Sequence, residues 1–273
     1  MAMGLPARLF SVILRVSPGR IRNWMWKWWY QRLAKAHRKS DFRFMNYGYK
    51  DGHGPKLSGE DEPNRVFIQL YHMNIRDIDL QGKEVLEVGS GRGGGASWIA
   101  KYCEPESLVG VDFSKEAVRL SRKWYSEQEN LFFIEGNAES LPMNDSAFDV
   151  VYNVESSHCY GNMRAFAEEV NRVLRAGGHF CWTDFRDEET MQKVQALFIE
   201  SGFKLVSKKE ITREVLAALD EINEAKIEQI RKNVPKSIRK SFETFAGVKG
   251  TPVYEGFRSG SLHYHRYLLV KPE

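Results

Sequence analysis

The stretch Lys83-Glu84-Val85-Leu86-Glu87-Val88-Gly89-Ser90-Gly91-Arg92-Gly93 joins a short apolar run directly to three alternating glycines. Val85, Leu86 and Val88 are strand formers, while Gly89, Gly91 and Gly93 let the backbone turn sharply and lie against a ligand. Ala96 to Tyr102 then resumes as a helix. Strand, bare turn and helix in that order build the nucleoside-binding corner of an α/β sheet.

Gly89, Gly91 and Gly94 also satisfy the G-x-G-x-x-G fingerprint of dinucleotide enzymes, so the glycines alone leave two cofactors open. Glu87 separates them. A carboxylate at the strand end opposes the pyrophosphate of NAD, but suits the ammonium and hydroxyls of a cationic, phosphate-free nucleoside such as S-adenosylmethionine. Asp112 follows in Leu108-Val109-Gly110-Val111-Asp112-Phe113-Ser114, roughly 20 residues on, where a carboxylate accepts both ribose hydroxyl protons. Phe113 belongs to the same contact surface. Ser114 has the chemistry of an N-cap for a helix to about Glu127, and the plainer alternative is that Asp112 only caps that helix.

With these residues in place, Val85 to Asp184 resembles the class I S-adenosylmethionine-dependent methyltransferases. Glu87 to Gly93 match the first motif and Asp112 the end of the second strand. Gly136-Asn137-Ala138-Glu139-Ser140-Leu141-Pro142 matches the adenine-contacting segment, and Phe148-Asp149-Val150-Val151-Tyr152-Asn153 the fourth strand. The resemblance implies S-adenosylmethionine as cofactor, with Asn137, Ala138 and Glu139 at the adenine and Asn153 nearby. Many relatives carry aspartate where this chain has Asn137, whose amide oxygen still accepts from the adenine amino group. Glu139 either shares that contact or is a solvated loop carboxylate.

A longer string, Asp61-Glu62-Pro63-Asn64-Arg65, Leu70-Tyr71-His72, Gly93-Gly94-Gly95-Ala96 and Glu155-Ser156-Ser157-His158-Cys159-Tyr160, is similar to the mycobacterial phthiotriolone and phenolphthiotriolone dimycocerosate methyltransferases. That similarity covers about Phe42 to Arg186 and weakens toward the C-terminus. It implies methylation of a hydroxyl on a very long lipid. N-terminal tyrosines of related methyltransferases close over the cofactor, a role open to Tyr47, whose other reading is aromatic packing.

Strands near 83–88, 108–112, 131–135, 148–153 and 178–184, separated by helices, predict an α/β, Rossmann-like, doubly wound and mostly parallel sheet. A helix from Glu188 to Ser201, a strand from Phe203 to Lys209 and a closing strand near 262–270 bring the sheet to seven strands. The methyltransferase domain is expected over 61–273, with its core at 83–210 and a helical insertion at about 211–261. Ligands of such sheets bind where strand order reverses, here between the first and fourth strands.

The residues after the fourth strand then face the transferred methyl group. His158 is the candidate base, largely neutral near pH 7 if its pKa is the ordinary ~6.5; the competing role is a structural hydrogen bond at the head of the next helix. Glu155 and Tyr160 are secondary candidates, orienting His158 or binding the acceptor. No metal site is expected, because His263 and His265 have no ligand-pair spacing to His158. Those two share one face of the last strand, toward the acceptor cavity or solvent. Helix 211–233 is most simply a solvated surface helix, although Leu216, Leu219 and Ile222 can cover an apolar substrate.

Charge divides the chain unevenly: residues 1–50 hold 11 Lys and Arg against Asp41 alone, a formal +10, and the remaining 29 basic and 35 acidic residues give −6. The same front end carries Trp24, Trp26, Trp28, Trp29 and Tyr30, too many aromatics for a freely solvated tail. Residues 1–60 are accordingly expected as a basic helical lid. Residues 1–40 either contact an anionic membrane surface, fold over the core without membrane, or form an oligomer contact. Nucleic-acid binding is disfavoured by the acidic remainder, and the apolar runs are too short to span a bilayer. Cys103, Cys159 and Cys181 lack metal or redox spacing, which points to a reducing, cytoplasmic setting, with Cys159 a small buried filler.

Together these features lead to an S-adenosylmethionine-dependent O-methyltransferase acting on a lipophilic small molecule, peripheral at a membrane if the basic segment binds one. Carbon methylation of a sterol or unsaturated lipid, and lipid binding without catalysis on a retained cofactor fold, are the competing readings. Oligomeric state is left open.

Overall fold

Strands covered by helices on both faces must be apolar on both faces, and the central strands carry near-continuous hydrophobic runs for that reason. The computed structural model describes residues 42–236 and 239–273. It contains β1 (Glu84–Val88), β2 (Ser107–Asp112), β3 (Leu131–Glu135), β4 (Phe148–Val154), β5 (Leu174–Arg186), β6 (Lys204–Glu210) and β7 (His263–Val270). They form one seven-stranded sheet in the order β3-β2-β1-β4-β5-β7-β6. Strands β1 to β5 pair in parallel, and β7 runs antiparallel between β5 and β6. The expected reversal between β1 and β4 is therefore present, and β5 is longer than its apolar centre suggested.

Alternation along each strand divides the core in two. Val85, Tyr152, Cys181 and Leu268 face α1 (Arg65–Ile75) and α2 (Gly94–Tyr102). Leu86, Val88, Val151, Phe180 and Trp182 face α4 (Met163–Val173) and α5 (Glu188–Glu200). Between β2 and β3 lies α3 (Lys115–Trp124), capped as expected by Ser114, whose Oγ accepts from Ala117 N at 3.3 Å. It ends before Glu127, with Tyr125 as C-cap.

Packing of α1 on α2 depends on Gly95, because a Cβ there would stand inside the Tyr71 ring. Tyr71 is itself held edge-on to Tyr152, centroids 6.4 Å apart, and has no free direction in which to retreat. Gly95→Val should cost about 1–3 kcal/mol by overpacking, read as a lowered midpoint in denaturant unfolding. An unchanged midpoint would mean that the ring yields freely.

The insertion after β6 consists of α6 (Thr212–Asn233), α7 (Arg239–Phe245) and α8 (Pro252–Ser259). Val215, Ala218, Leu219, Lys226 and Ile230 recur at helical spacing on the buried side of α6, so this helix is only half solvated. Residues 42–50 cross the top of the sheet: Gly94 N donates to Arg43 O, Tyr49 N to Val66 O, and Lys50 N to Glu214 O. The tryptophan-rich stretch 1–41, with its lid, membrane and oligomer readings, lies outside the described residues. Among the described residues no helix is long and apolar enough to cross a membrane.

Candidate active site

At the switch point the end of β1 turns on glycines held in the left-handed region, φ being 82° at Gly89, 55° at Gly91 and 76° at Gly93. The turn is pinned to β2, since Gly89 N and Ser90 N both donate to Val111 O, at 2.8 and 3.0 Å. Gly91 N donates to Asp112 Oδ2, and Ser114 N to Asp112 Oδ1, each at 2.8 Å. Burial pushes the Asp112 carboxyl up to about 6, while the Ser114 and Gly91 N–H groups pull it back. Each carboxylate oxygen thus has one amide donor and a lone pair left for a further donor.

A single cavity opens above this turn, lined by Gly89, Gly91, Asp112, Phe113, Asn137, Ala138 and Glu139 on one side and by Glu155, His158, Cys159 and Tyr160 on the other. Phe113 is 38% exposed, high for a large apolar ring. Asn137 Oδ1 accepts from Glu139 N at 3.1 Å, and Glu139 Oε1 accepts from Gly161 N at 2.7 Å and Asn162 N at 3.1 Å. Glu139 therefore ties the two banks of the cavity together. Cys159 lines the cavity and is partly exposed rather than a buried filler.

Three expected cofactor contacts are set back from the wall. Gly93 is the N-cap of α2. Asn153 donates through Nδ2 to Val88 O (2.8 Å), Ser156 Oγ (2.7 Å) and Tyr160 Oη (3.1 Å), binding the ends of β1 and β4 together. Glu87 is fully buried on the Val85 face, where Tyr152 Oη donates to its Oε2 at 3.1 Å. Strand alternation puts Glu87 beneath the turn instead of in the cavity. Burial drives its carboxyl up to about 8, against hydrogen bonds from Tyr152 and Tyr71.

His158 sits in a short 3-10 turn, Ser157–Cys159, directly after β4. Its Nδ1 lies 2.9 Å from Asp184 Oδ1, and its backbone N donates to Asp184 Oδ2, also at 2.9 Å. The same carboxylate accepts from Ser157 Oγ at 2.6 Å and Phe185 N at 2.8 Å, and pairs with Arg186 Nη1 at 3.2 Å. Burial lowers the imidazole's pKa, but Cys159 and Asp184 outweigh it and hold His158 well above its ordinary value. His158 is therefore more protonated at pH 7 than an isolated imidazole, contrary to the expectation from sequence. Burial raises Asp184, yet Arg186 and His158 pull it far below the usual carboxylate range.

Neither Glu155 nor Tyr160 orients the imidazole. Glu155 has φ +49°, and its Oε2 accepts from Tyr47 N and Tyr264 Oη, both at 2.8 Å. It clamps the crossing segment to β7, a use that explains a non-glycine residue in the left-handed region. Burial raises its carboxyl to about 8, moderated by the Tyr47 N–H. Tyr160 Oη lies 3.0 Å from Ser156 Oγ, and burial lifts its pKa, opposed by Ser156 and Asn153. Tyr47 lines the cavity and donates through its hydroxyl to Phe245 O at 3.0 Å.

Apolar side chains in the cavity wall include Phe67, Phe242, Phe245 and Ala246, and Met45 lies against Gly91 of the turn. Leu216, Leu219 and Ile222 do not line the cavity; the wall residue from α6 is Lys226. Lys226 is 8% exposed, and its ammonium donates to Ala246 O at 2.7 Å. Burial lowers it to about 8, with Glu155 pulling partly back. Nothing in a Glu- and Lys-rich helix singles out Lys226 beforehand except its place in the 215, 219, 226, 230 buried stripe. Asp184 had a better signal, since it follows by one residue the Val154↔Thr183 pair that ends β4.

Asp112 beside the glycine turn, with acceptor capacity left on both oxygens, suits the hydroxyls of a nucleoside better than it suits a pyrophosphate. Fold and site together define a class I S-adenosylmethionine-dependent methyltransferase. The sequence profile of the methyltransferase domain matches residues 86–182. The chain is 34% identical to the phthiotriol/phenolphthiotriol dimycocerosates methyltransferase of Mycobacterium tuberculosis over 267 residues, 97% of this chain and 98% of that protein. It is also 34% identical to the fatty-acid O-methyltransferase of Mycolicibacterium smegmatis, over 89% of this chain and 88% of that one. The geranyl diphosphate C-methyltransferase from Streptomyces coelicolor shares the fold with a TM-score of 0.62 at 16% identity, covering 89% of this chain and 97% of its own.

The chain belongs to the S-adenosylmethionine-dependent methyltransferase family, and S-adenosylmethionine is its cofactor. The match to the mycobacterial lipid enzyme extends beyond Phe42 to Arg186, covering 97% of the chain. The residues present fit the cofactor. A Cβ at Gly89 would run into Ser156 and the Tyr160 hydroxyl, so the turn presents bare backbone. The Ser90 hydroxyl, 4% exposed, lines that turn without a hydrogen-bond partner.

Proposed function

We propose that this enzyme methylates a hydroxyl of a lipophilic acceptor and that His158 removes the hydroxyl proton. The observation that carries the proposal is the His158–Asp184 pair in the wall of a cavity also lined by Phe67, Phe242, Phe245 and Ala246. S-adenosylmethionine supplies an electrophilic methyl group on a sulfonium. A neutral alcohol is a weak nucleophile, so a base at its oxygen has work to do. Asp184 accepts the Nδ1 proton of neutral His158, which leaves the lone pair on Nε2 for the incoming hydroxyl proton. The aromatic lining holds the acceptor's hydrocarbon, with Tyr47 and Phe245 joined across it by the Tyr47 hydroxyl. The similarity to enzymes named for dimycocerosates and fatty acids supports a lipid acceptor.

In this reading Asp112 holds the ribose hydroxyls, with Phe113, Asn137 and Ala138 at the adenine. Glu87 acts from beneath, where a bound cation would favour its ionised form. Asp112→Ala should weaken S-adenosylmethionine by about tenfold or more, the equivalent of one hydrogen bond to a charged group, measured by calorimetry. Because its carboxyl sits at about 6, wild-type affinity should fall as pH drops through that value and the variant's should not. Equal affinities in the two proteins would remove Asp112 from the ribose.

Lys226 favours a second reading, in which the acceptor oxygen belongs to a carboxylate that the ammonium helps hold. A carboxylate is already deprotonated and needs no base. The deciding experiment incubates the enzyme with methyl-labelled S-adenosylmethionine and a total lipid extract, then treats the labelled product with alkali. An alkali-stable methyl ether is expected. A saponifiable methyl ester would establish the carboxylate reading, and label on carbon would overturn both.

A further inference from the structure

We propose that Glu188, His263 and His265 form a binding site for a divalent first-row transition ion, Zn2+ in particular, on the α5 side of the sheet and outside the active site. Among the described residues these three bring one ligand atom each within 4.8 Å of one another. Strand geometry gathers them: residues two apart on β7 project from the same face, and Asp187 caps α5 so that Glu188 begins the helix beside that face.

His265 is the anomaly that calls for a ligand. It is 4% exposed, and neither Nδ1 nor Nε2 has a hydrogen-bond partner. A buried imidazole without partners loses its water contacts for nothing in return. His263 is oriented in the manner of a metal ligand, its Nδ1 lying 2.9 Å from Glu210 Oε1, an arrangement that leaves Nε2 free. Glu188 is exposed and accepts from Gln192 Nε2 at 2.9 Å, a surface contact that a cation readily replaces.

Two imidazoles and one carboxylate favour a transition ion over Ca2+ or Mg2+, whose ligands are oxygens. Bond lengths of about 2.0–2.2 Å require donors roughly 3.4 Å apart, a tightening within reach of the side chains of Glu188 and His263. Two carboxylates, Glu188 and Glu210, and one ammonium, Lys208, act on His265, and that ammonium lies over the Tyr267 ring at 5.7 Å. His265 pairs in register with Asp184 of β5 and with Glu210 of β6. A bound ion would therefore brace the strand next to the one that carries Asp184.

The test is Zn2+ titration of chelator-treated full-length protein, followed by calorimetry and thermal unfolding. One equivalent should bind and raise the melting temperature. His265→Phe should abolish the Zn2+-dependent rise while melting no lower than wild type without metal, since an unpartnered imidazole has been replaced by a ring that needs no partner. Should that variant fail to fold, the exposed substitution Glu188→Ala should weaken Zn2+ about tenfold or more, the loss of a charged ligand, with metal-free melting unchanged. Binding should persist in His158→Ala, which excludes capture by His158 and Cys159. Absence of stoichiometric binding, or equal binding by wild type, His265→Phe and Glu188→Ala, overturns the proposal.

Discussion

His158→Ala should lower turnover by about 10²–10⁴-fold, the range general-base catalysis contributes, at saturating S-adenosylmethionine and hydroxyl acceptor. Cofactor affinity should not change, because the ring touches Asp184, Cys159 and Phe185 and not the glycine turn. The pH profile provides a second readout. A base works only when unprotonated, and the His158 pKa is raised, so wild-type activity should climb with pH along a limb alkaline of the ordinary ~6.5. That limb should vanish in the variant. Wild-type turnover in His158→Ala with an alcohol acceptor would discard the base.

Asp184→Ala should destabilise the fold by about 3–5 kcal/mol, the usual consequence of removing one member of a buried ion pair, measured by denaturant unfolding. The loss strands Arg186 and takes the acceptor from Ser157 Oγ and from the N–H groups of His158 and Phe185. Asp184→Asn keeps the shape without the charge, and its acid limb of activity should move to lower pH because His158 is no longer held protonated. The linkage has a definite sign. Asp184, depressed, contributes stability above an unfolded value near 3.9, lost as pH falls through its folded value. His158, raised, contributes below about 6.5 and loses that contribution as pH rises through its folded value. The pair thus stabilises most between those limits. A wild-type stability that does not decline on the alkaline side would contradict the raised His158.

Local chemistry made part of the site legible. Gly89 and Gly91 were readable because a turn with positive φ against a ligand restricts residue choice severely. Asp112 was readable as the strand-ending carboxylate, and its two amide partners, Ser114 N and Gly91 N, came from the structure. Glu87 shows where such reading stops: its place in the motif is plain, but strand alternation sends its side chain under the turn. Glu155 and Glu139 were visible as acids near the site, yet their partners, Tyr47 and Tyr264 for one and Gly161 and Asn162 for the other, are structural.

Asp184, Lys226 and His265 belong to another category. Each gains its character from segments distant in the chain: the β4–β5 pairing for Asp184, the packing of α6 and α7 for Lys226, and the meeting of β7 with α5 for His265.

By itself the amino-acid order determined the strand sequence, the switch point between β1 and β4 and the glycine turn, since these depend on periodicity and backbone freedom within short windows, while the cofactor followed from the resemblance those motifs carry. Only the tertiary structure decided which carboxylate orients His158, which residues close the acceptor cavity, and which histidine is left buried without a partner. Burial and hydrogen-bond partnership are properties of packed surfaces, and no local window of residues contains them.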